Sequence, residues 1–297
     1  MAQSLRAELI SWYREHARPL PWRRPGTSPW AILLSEVMSQ QTPVQRVIPS
    51  WEDWLRRWPT PRALSEASTA EVLHAWGRLG YPRRALRLKE CAGVIVENHG
   101  GEVPDDVEAL LALPGIGAYT ARAVACFAFG KNVPVVDTNV RRVYERAIEG
   151  AFLTPPARAR DLQRVGALLP EGEGPEGPEF SVALMELGAL VCTARAPRCE
   201  DCPIVGRCEW QRLGCPEPDE EALRGARRRV QKFEGTDRQA RGRIMAALRE
   251  SPGFAPLPVE EVKRLWPDEA QWSRALFSLI EDGLVEQDSP GYLRLPL

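Results

Sequence analysis

The chain has 297 residues, 44% of them hydrophobic, with 39 basic and 40 acidic side chains and a formal net charge of −1. That length gives room for a few small domains, or one enzyme with an appendage, and the hydrophobic share suffices for a sizeable core. The charge balance excludes a chain that is basic throughout, but not nucleic-acid binding, for which a local basic stripe is enough.

The amino terminus, MAQSLRAELISWYREH, reads as an amphipathic helix without an apolar signal core. The segments SPWAILLSEVMSQ, PSWEDWLRRW, TAEVLHAWGRL, RRALRLKECAGVIVENH, DVEALLAL, AYTARAVACFAF, VDTNVRRVYERAI, ARARDLQRVGALL and FSVALMELGALVC follow, each with apolar residues at helical spacing. The turn signals PGTSP, HGGEVPDD, LPGIG, GKNVP and EGEGPEGPE separate some of them, and no alternating strand pattern competes. Residues 1–215 therefore read as all-α. A polar linker at 216–234 carries Arg224, Arg227, Arg228, Arg229 and Lys232. Three helical segments then lead to the alternating stretches LVEQ and YLRL around the turn DSPG, the order of a small winged-helix-like domain at 235–297. Trp266, Trp272, Leu276 and Leu279 are its expected core. No run approaches the roughly 18 apolar residues of a membrane span, so no membrane partner is expected. A cytoplasmic protein, where thiols stay reduced, is the expectation.

Four of the seven cysteines stand as Cys192-x6-Cys199-x2-Cys202-x5-Cys208. A tight thiol cluster in a reducing compartment favours metal over disulfides. Structural zinc sites usually pair two short knuckles, whereas here there is one x2 step and no histidine nearby. Four thiolates on unequal loops suit the corners of a [4Fe–4S] cluster; structural zinc or free thiols are the alternatives. Arg195, Arg198, Arg207 and Arg212 surround the cysteines with charge that suits phosphates.

Leu113-Pro114-Gly115-Ile116-Gly117-Ala118-Tyr119-Thr120 lies between two helical patterns. Its glycines permit a tight turn that presents N–H groups to a phosphate, or else it is an ordinary helix–helix turn. Asp137 stands where a helix begins, so N-capping is its bland reading. Glu36 lies within an apolar helix, a little downstream of the aromatic and basic stretch Pro19–Trp30. Exposed, it merely meets solvent; buried, its raised pKa suits a general acid.

Taken together, the order Glu36…Gln40-Gln41-Thr42, Leu79-Gly80-Tyr81, Leu113-Pro114-Gly115-x-Gly117, Val136-Asp137 and the four cysteines resembles the helix–hairpin–helix DNA glycosylases with an iron–sulfur cluster. Leu20-Pro21-Trp22 and Ser35-Glu36-Val37-Met38-x-Gln40-Gln41-Thr42 are similar to the adenine DNA glycosylases of the MutY family, over about residues 1–212. The resemblance implies an all-α fold of two helical domains: residues 20–132 as a six-helix barrel domain with the hairpin, and 1–19 plus 133–215 as the iron–sulfur domain. It implies that Glu36 protonates adenine, that Asp137 stabilises an oxocarbenium-like sugar, and that Tyr119 and Asn139 line the same site. Gln41 and Tyr81 then probe the duplex, Gly115 and Gly117 hold a phosphate, and Trp22 and Arg23 contact DNA. Cys192, Cys199, Cys202 and Cys208 hold the [4Fe–4S] cluster. The implied substrate is double-stranded DNA with adenine mispaired with 8-oxoguanine or guanine, met by a monomer at the nucleoid.

Tyr119 stands where bifunctional relatives carry a nucleophilic lysine, so the expected activity is base removal without Schiff-base strand cleavage. The chain departs from the pattern at Ser39, Pro43, Pro82 and Thr138. No Nudix-like domain for reading 8-oxoguanine is recognisable, and residues 235–297 read as helical instead. A thymine-mismatch glycosylase, an endonuclease III-type lyase and a non-catalytic iron–sulfur DNA-binding redox sensor are the rival readings.

Overall fold

The computed structural model describes residues 2–218, 220, 223–224, 233–289 and 291–297. Arg227, Arg228, Arg229 and Lys232 of the expected basic linker lie outside the described residues, while Arg224 is exposed. The chain forms two compact units: residues 1–32, 105–112 and 116–229, and residues 33–104, 113–115 and 230–297. In this grouping by contacts, 116–132 belongs to the first unit and 235–297 stands with the helices of 33–104.

The first unit holds α1 (Ala2–His16), α7 (Val107–Leu111), α8 (Ala118–Phe129), α9 (Thr138–Ala147), α10 (Arg160–Gly166), α11 (Glu176–Leu190) and the short α12 (Glu209–Arg212). Leu5, Leu9 and Ile10 line one face of α1 and share a core with Val140, Val143, Phe180, Leu184 and Leu187. Helical spacing puts these side chains on one stripe, and burying the stripe drives the packing. Gly188 lets α11 approach α9 closely: a Cβ there would stand 2.7 Å from the Cβ of Asn139.

The second unit holds α3 (Val44–Arg57), α4 (Pro61–Glu66), α5 (Thr69–Trp76) and α6 (Arg83–Asn98), then the C-terminal module. Its indole cluster packs edge to face, with ring centroids 4.9 Å apart for Trp54–Trp58 and 5.4 Å for Trp54–Trp76. A capping box at Ser68 and Glu71 starts α5. The α2 helix spans Pro29–Ser39.

The C-terminal module consists of α13 (Asp237–Glu250), α14 (Val259–Lys263), α15 (Glu269–Glu281) and three strands, β1 (Leu257–Pro258), β2 (Glu286–Ser289) and β3 (Tyr292–Arg294). The strands form an antiparallel sheet in the order β1-β3-β2. That is a winged-helix arrangement, with a first strand too short to show in the sequence pattern. Trp272 and Leu279 are buried in its core with Ile244, Leu248 and Leu293, whereas Trp266 and Leu276 are only partly buried.

Candidate active site and cluster loop

Asp137 is the N-cap of α9: its Oδ1 accepts from the Val140 N–H at 2.7 Å. Its Oδ2 accepts from Asn139 Nδ2 at 2.7 Å. Capping and a chemical role are thus compatible, because one oxygen serves the helix and the other meets the Asn139 amide. Burial pushes the Asp137 carboxyl above the ordinary aspartate range; the Val140 and Asn139 hydrogen bonds and the Arg142 charge pull against it.

Arg142 extends this arrangement toward the cysteine loop. Its Nη2 donates to Asn139 Oδ1 and to the Gly188 carbonyl, each at 2.7 Å. Its Nε donates to the Cys192 carbonyl at 2.7 Å. A turn further along α9, the fully buried Arg146 donates to Thr193 O at 2.7 Å, Ala194 O at 3.0 Å and Cys192 Sγ at 3.4 Å. The Phe152 ring lies 4.2 Å from its guanidinium. Two arginines of one helix therefore fix the start of the loop.

Cys192, Cys199, Cys202 and Cys208 line a single cavity with Arg146, and none is in a disulfide. Among the described residues no three His, Cys, Asp or Glu side chains converge as ligands of one small ion. Four half-buried thiols ringing a space suit a four-cornered cluster. Cys91 and Cys126 are buried in α6 and α8, and burial pushes the Cys91 thiol up to about 12. Of the arginines around the loop, Arg207 pairs with Glu8 at 2.8 Å and Arg198 with Asp201 at 3.5 Å, while Arg212 is bound to Glu209. Arg195 makes no ion pair among the described residues.

Glu36 is buried in α2, with 9% of its surface exposed. Gln41 and Tyr81 both hold left-handed backbone, φ +54° and +48°, which side-chain-bearing residues rarely adopt. Arg84 ties their two loops together. Its Nη1 donates to Val37 O at 3.0 Å and Gln40 O at 2.7 Å, and its Nη2 to Gly80 O at 3.2 Å. Trp76 Nε1 donates to the same Gly80 carbonyl at 2.9 Å. Sequence reading missed Arg84; its only trace there is its place three residues after Tyr81.

Gly115 needs its glycine on two counts, φ +77° and an approach that would set a Cβ 2.7 Å from Arg87 Cβ. Gly117 is extended and exposed, with open space where a Cβ would stand; it caps α8 without a side chain, leaving room for an approaching group. Tyr119 follows in the first turn of α8, half-buried against Ala123, Cys126 and Val135. Trp22 is half-buried.

Arg23, expected to contact DNA, has a partner within the protein. Its guanidinium lies 2.9 Å from the fully buried Glu186 carboxylate, which it shares with Arg18. Arg18 donates to Glu186 through its backbone N–H at 2.9 Å, Nε at 2.8 Å and Nη2 at 2.7 Å. Burial alone would raise Glu186, but the two arginines outweigh it and hold the carboxyl at about 2.

Residues 34–151 match the HhH-GPD superfamily base excision DNA repair protein, and residues 192–208 match the iron-sulfur binding domain of endonuclease III. An adenine DNA glycosylase of Mycobacterium tuberculosis is 55% identical over 290 residues, 97% of this chain and 92% of that one. That match takes in the C-terminal module. A thymine/uracil-DNA glycosylase of Pyrobaculum aerophilum is 35% identical over 203 residues, 67% of this chain and 88% of that one. The solved structure of a thermostable thymine-DNA glycosylase superposes with a TM-score of 0.64 at 28% identity, covering 71% of this chain and 97% of that one. The cysteine loop is an iron–sulfur site, and its four thiols suit a [4Fe–4S] cluster. With its helix–hairpin–helix, its iron–sulfur loop and a match running almost end to end, this chain belongs to the adenine DNA glycosylase family.

Proposed function

We propose that this enzyme of base-excision repair excises adenine mispaired with 8-oxoguanine or guanine in double-stranded DNA, by hydrolysis and without cutting the strand. Adenine is a poor leaving group as an anion, so its ring must gain a proton before the glycosidic bond breaks. Glu36, buried in α2, delivers that proton. As the bond breaks, positive charge grows on the sugar, and Asp137 stabilises it. Water then adds to the sugar carbon, and Glu36, now a carboxylate, helps to place it and takes up the proton it loses. The pairing of an acid with a charge-stabilising carboxylate parallels the division of labour in sugar hydrolases.

The observation that carries this reading is the fixed carboxylate of Asp137, held on both oxygens and backed by Asn139 and Arg142. An electrostatic stabiliser works best when it needs no reorganisation at the moment of reaction. Around it, Tyr119 lines the site and offers no amine. The base leaves the stack to react, so the duplex has to be opened and the gap filled. Gln41 and Tyr81, preset in left-handed backbone, serve that step, Gly115 and Gly117 seat a phosphate, and Trp22 meets the DNA. Cys192, Cys199, Cys202 and Cys208 hold the [4Fe–4S] cluster. When bound, the cluster supplies four iron–thiolate bonds that fix the loop's fold. Residues 20–132 act as the barrel domain, and 1–19 with 133–215 as the cluster domain. The protein works as a monomer in the cytoplasm, on the nucleoid. No helix among the described residues is long and apolar enough to cross a membrane.

The test is a panel of duplexes carrying A opposite 8-oxoguanine, A opposite guanine, T opposite guanine and an oxidised pyrimidine, each cleaved with alkali after incubation. Release of adenine from the first two supports the reading. Activity confined to T opposite guanine overturns it in favour of a thymine glycosylase.

A further inference from the structure

Tyr81 is 45% exposed, yet its ring is not free. Its backbone sits at φ +48°, and the carbonyl before it is gripped by Trp76 and Arg84. Two guanidiniums approach the ring: Arg84 at 5.2 Å and Arg238 at 4.6 Å from its centroid. Arg238 also donates a hydrogen bond to the Tyr81 hydroxyl. Arg84 stands in the first turn of α6, three residues after Tyr81, whereas Arg238 comes from the first turn of α13, in the C-terminal module.

The carrier of Arg238 is anchored independently. Asp282 receives Arg83 at 3.1 Å and Arg241 at 2.6 Å. His74 Nδ1 lies 2.9 Å from the Arg249 carbonyl, and its ring meets Phe254 edge-on at 5.5 Å. The helix that carries Arg238 is therefore held by contacts other than the one to Tyr81, and the remaining N–H groups of the Arg238 guanidinium make no hydrogen bond among the described residues. An exposed tyrosine normally samples several rotamers; here a planar cation fixes both the tilt of the ring and the direction of the hydroxyl.

We propose that Arg238 positions Tyr81 for reading the base opposite the target adenine, so that the C-terminal module sets the opposite-base preference. This rests on Tyr81 acting as a duplex probe. A ring entering the stack gains more overlap beside a purine than beside a pyrimidine. It collects that difference only if it arrives in one orientation. Loss of Arg238 thus slows excision opposite purines and spares the slow reaction opposite pyrimidines.

Single-turnover excision of adenine opposite guanine, 8-oxoguanine and cytosine is measured for the full-length enzyme and for Arg238→Ala, Tyr81→Ala and the double variant. Cluster absorbance and thermal unfolding serve as folding controls. Arg238→Ala is expected to shrink the purine-to-cytosine rate ratio by about tenfold, the combined weight of one cation–π contact and one hydrogen bond. In the Tyr81→Ala background the same substitution is expected to change nothing further. An unchanged ratio in Arg238→Ala, or an equal effect in both backgrounds, overturns the proposal while leaving the probe role intact. Unaltered rates in Tyr81→Ala overturn the probe role itself, and this proposal with it.

Discussion

Asn139 is hydrogen-bonded on both ends of its amide: Arg142 donates to its Oδ1 at 2.7 Å while its Nδ2 donates to Asp137 Oδ2 at 2.7 Å. Arg142 dictates which way the amide faces, since a reversed amide would set two donors against each other. Asn139→Ala is expected to slow excision roughly tenfold to a hundredfold, less than the roughly hundredfold to thousandfold that loss of a donor to the reacting centre itself costs, because Asn139 acts through Asp137. Arg142→Ala is expected to do the same and to weaken cluster retention, since Arg142 also holds the Cys192 carbonyl. Single-turnover rates and the visible absorbance of the purified variants check both. Full activity in Asn139→Ala would show that Asp137 needs no such support.

The raised pKa of Asp137 has a kinetic consequence. Only the ionised carboxylate stabilises the sugar cation, so the rate falls as pH drops through this group. That acid limb is expected above the value of 3.8 of an ordinary aspartate. Asn139→Ala removes a donor that favours the charged form, so the limb moves further up in pH. A pH–rate profile of both proteins decides; a downward shift in the variant contradicts the assignment.

Glu186 governs stability instead. Its folded pKa lies at about 2, below its ordinary 4.5. A depressed carboxyl contributes stability that is fully present above the ordinary value and is lost as pH falls through the folded one. Glu186→Gln strands Arg18 and Arg23 and is expected to cost about 3 to 5 kcal/mol near neutral pH. The difference from the parent protein narrows on acidification through this window. Denaturant unfolding at several pH values measures it, and a cost below about 1 kcal/mol at neutral pH counts against the buried pair.

These two acids mark the limit of what the sequence discloses. Glu36 and Glu186 look alike there, each a lone carboxylate in an apolar helical run. Motif context singled out Glu36, while the partners of Glu186 lie 163 and 168 positions away and left no local trace. The same pairing gives Arg23 an internal partner that its place in the sequence does not announce. The helices with strong apolar periodicity were legible, and so was the helix–helix–helix–hairpin order of the C-terminal module. The six-residue α4, capped by Thr60, and the two-residue β1 were too short to show a period. Gly115 and Gly117 read as equals, yet only Gly115 has positive φ. Arg84 and Arg238 act through distant carbonyls and a ring, contacts that spacing alone does not encode.

Tyr119 separates hydrolysis from strand cutting. It occupies the first turn of α8, half-buried, and the nearest following lysine, Lys131, is paired with Asp105 at 2.8 Å. Tyr119→Lys is expected to gain a borohydride-trappable covalent complex with DNA, absent in the parent protein. Strong trapping by the parent protein would contradict the hydrolytic assignment.

The most direct test of the account is the single-turnover rate of adenine release by Glu36→Gln and Asp137→Asn, on a duplex both variants still bind. The account predicts a loss of about a hundredfold or more for each, the scale of a general acid and of an electrostatic stabiliser. Rates within about threefold of the parent protein in either variant would contradict it.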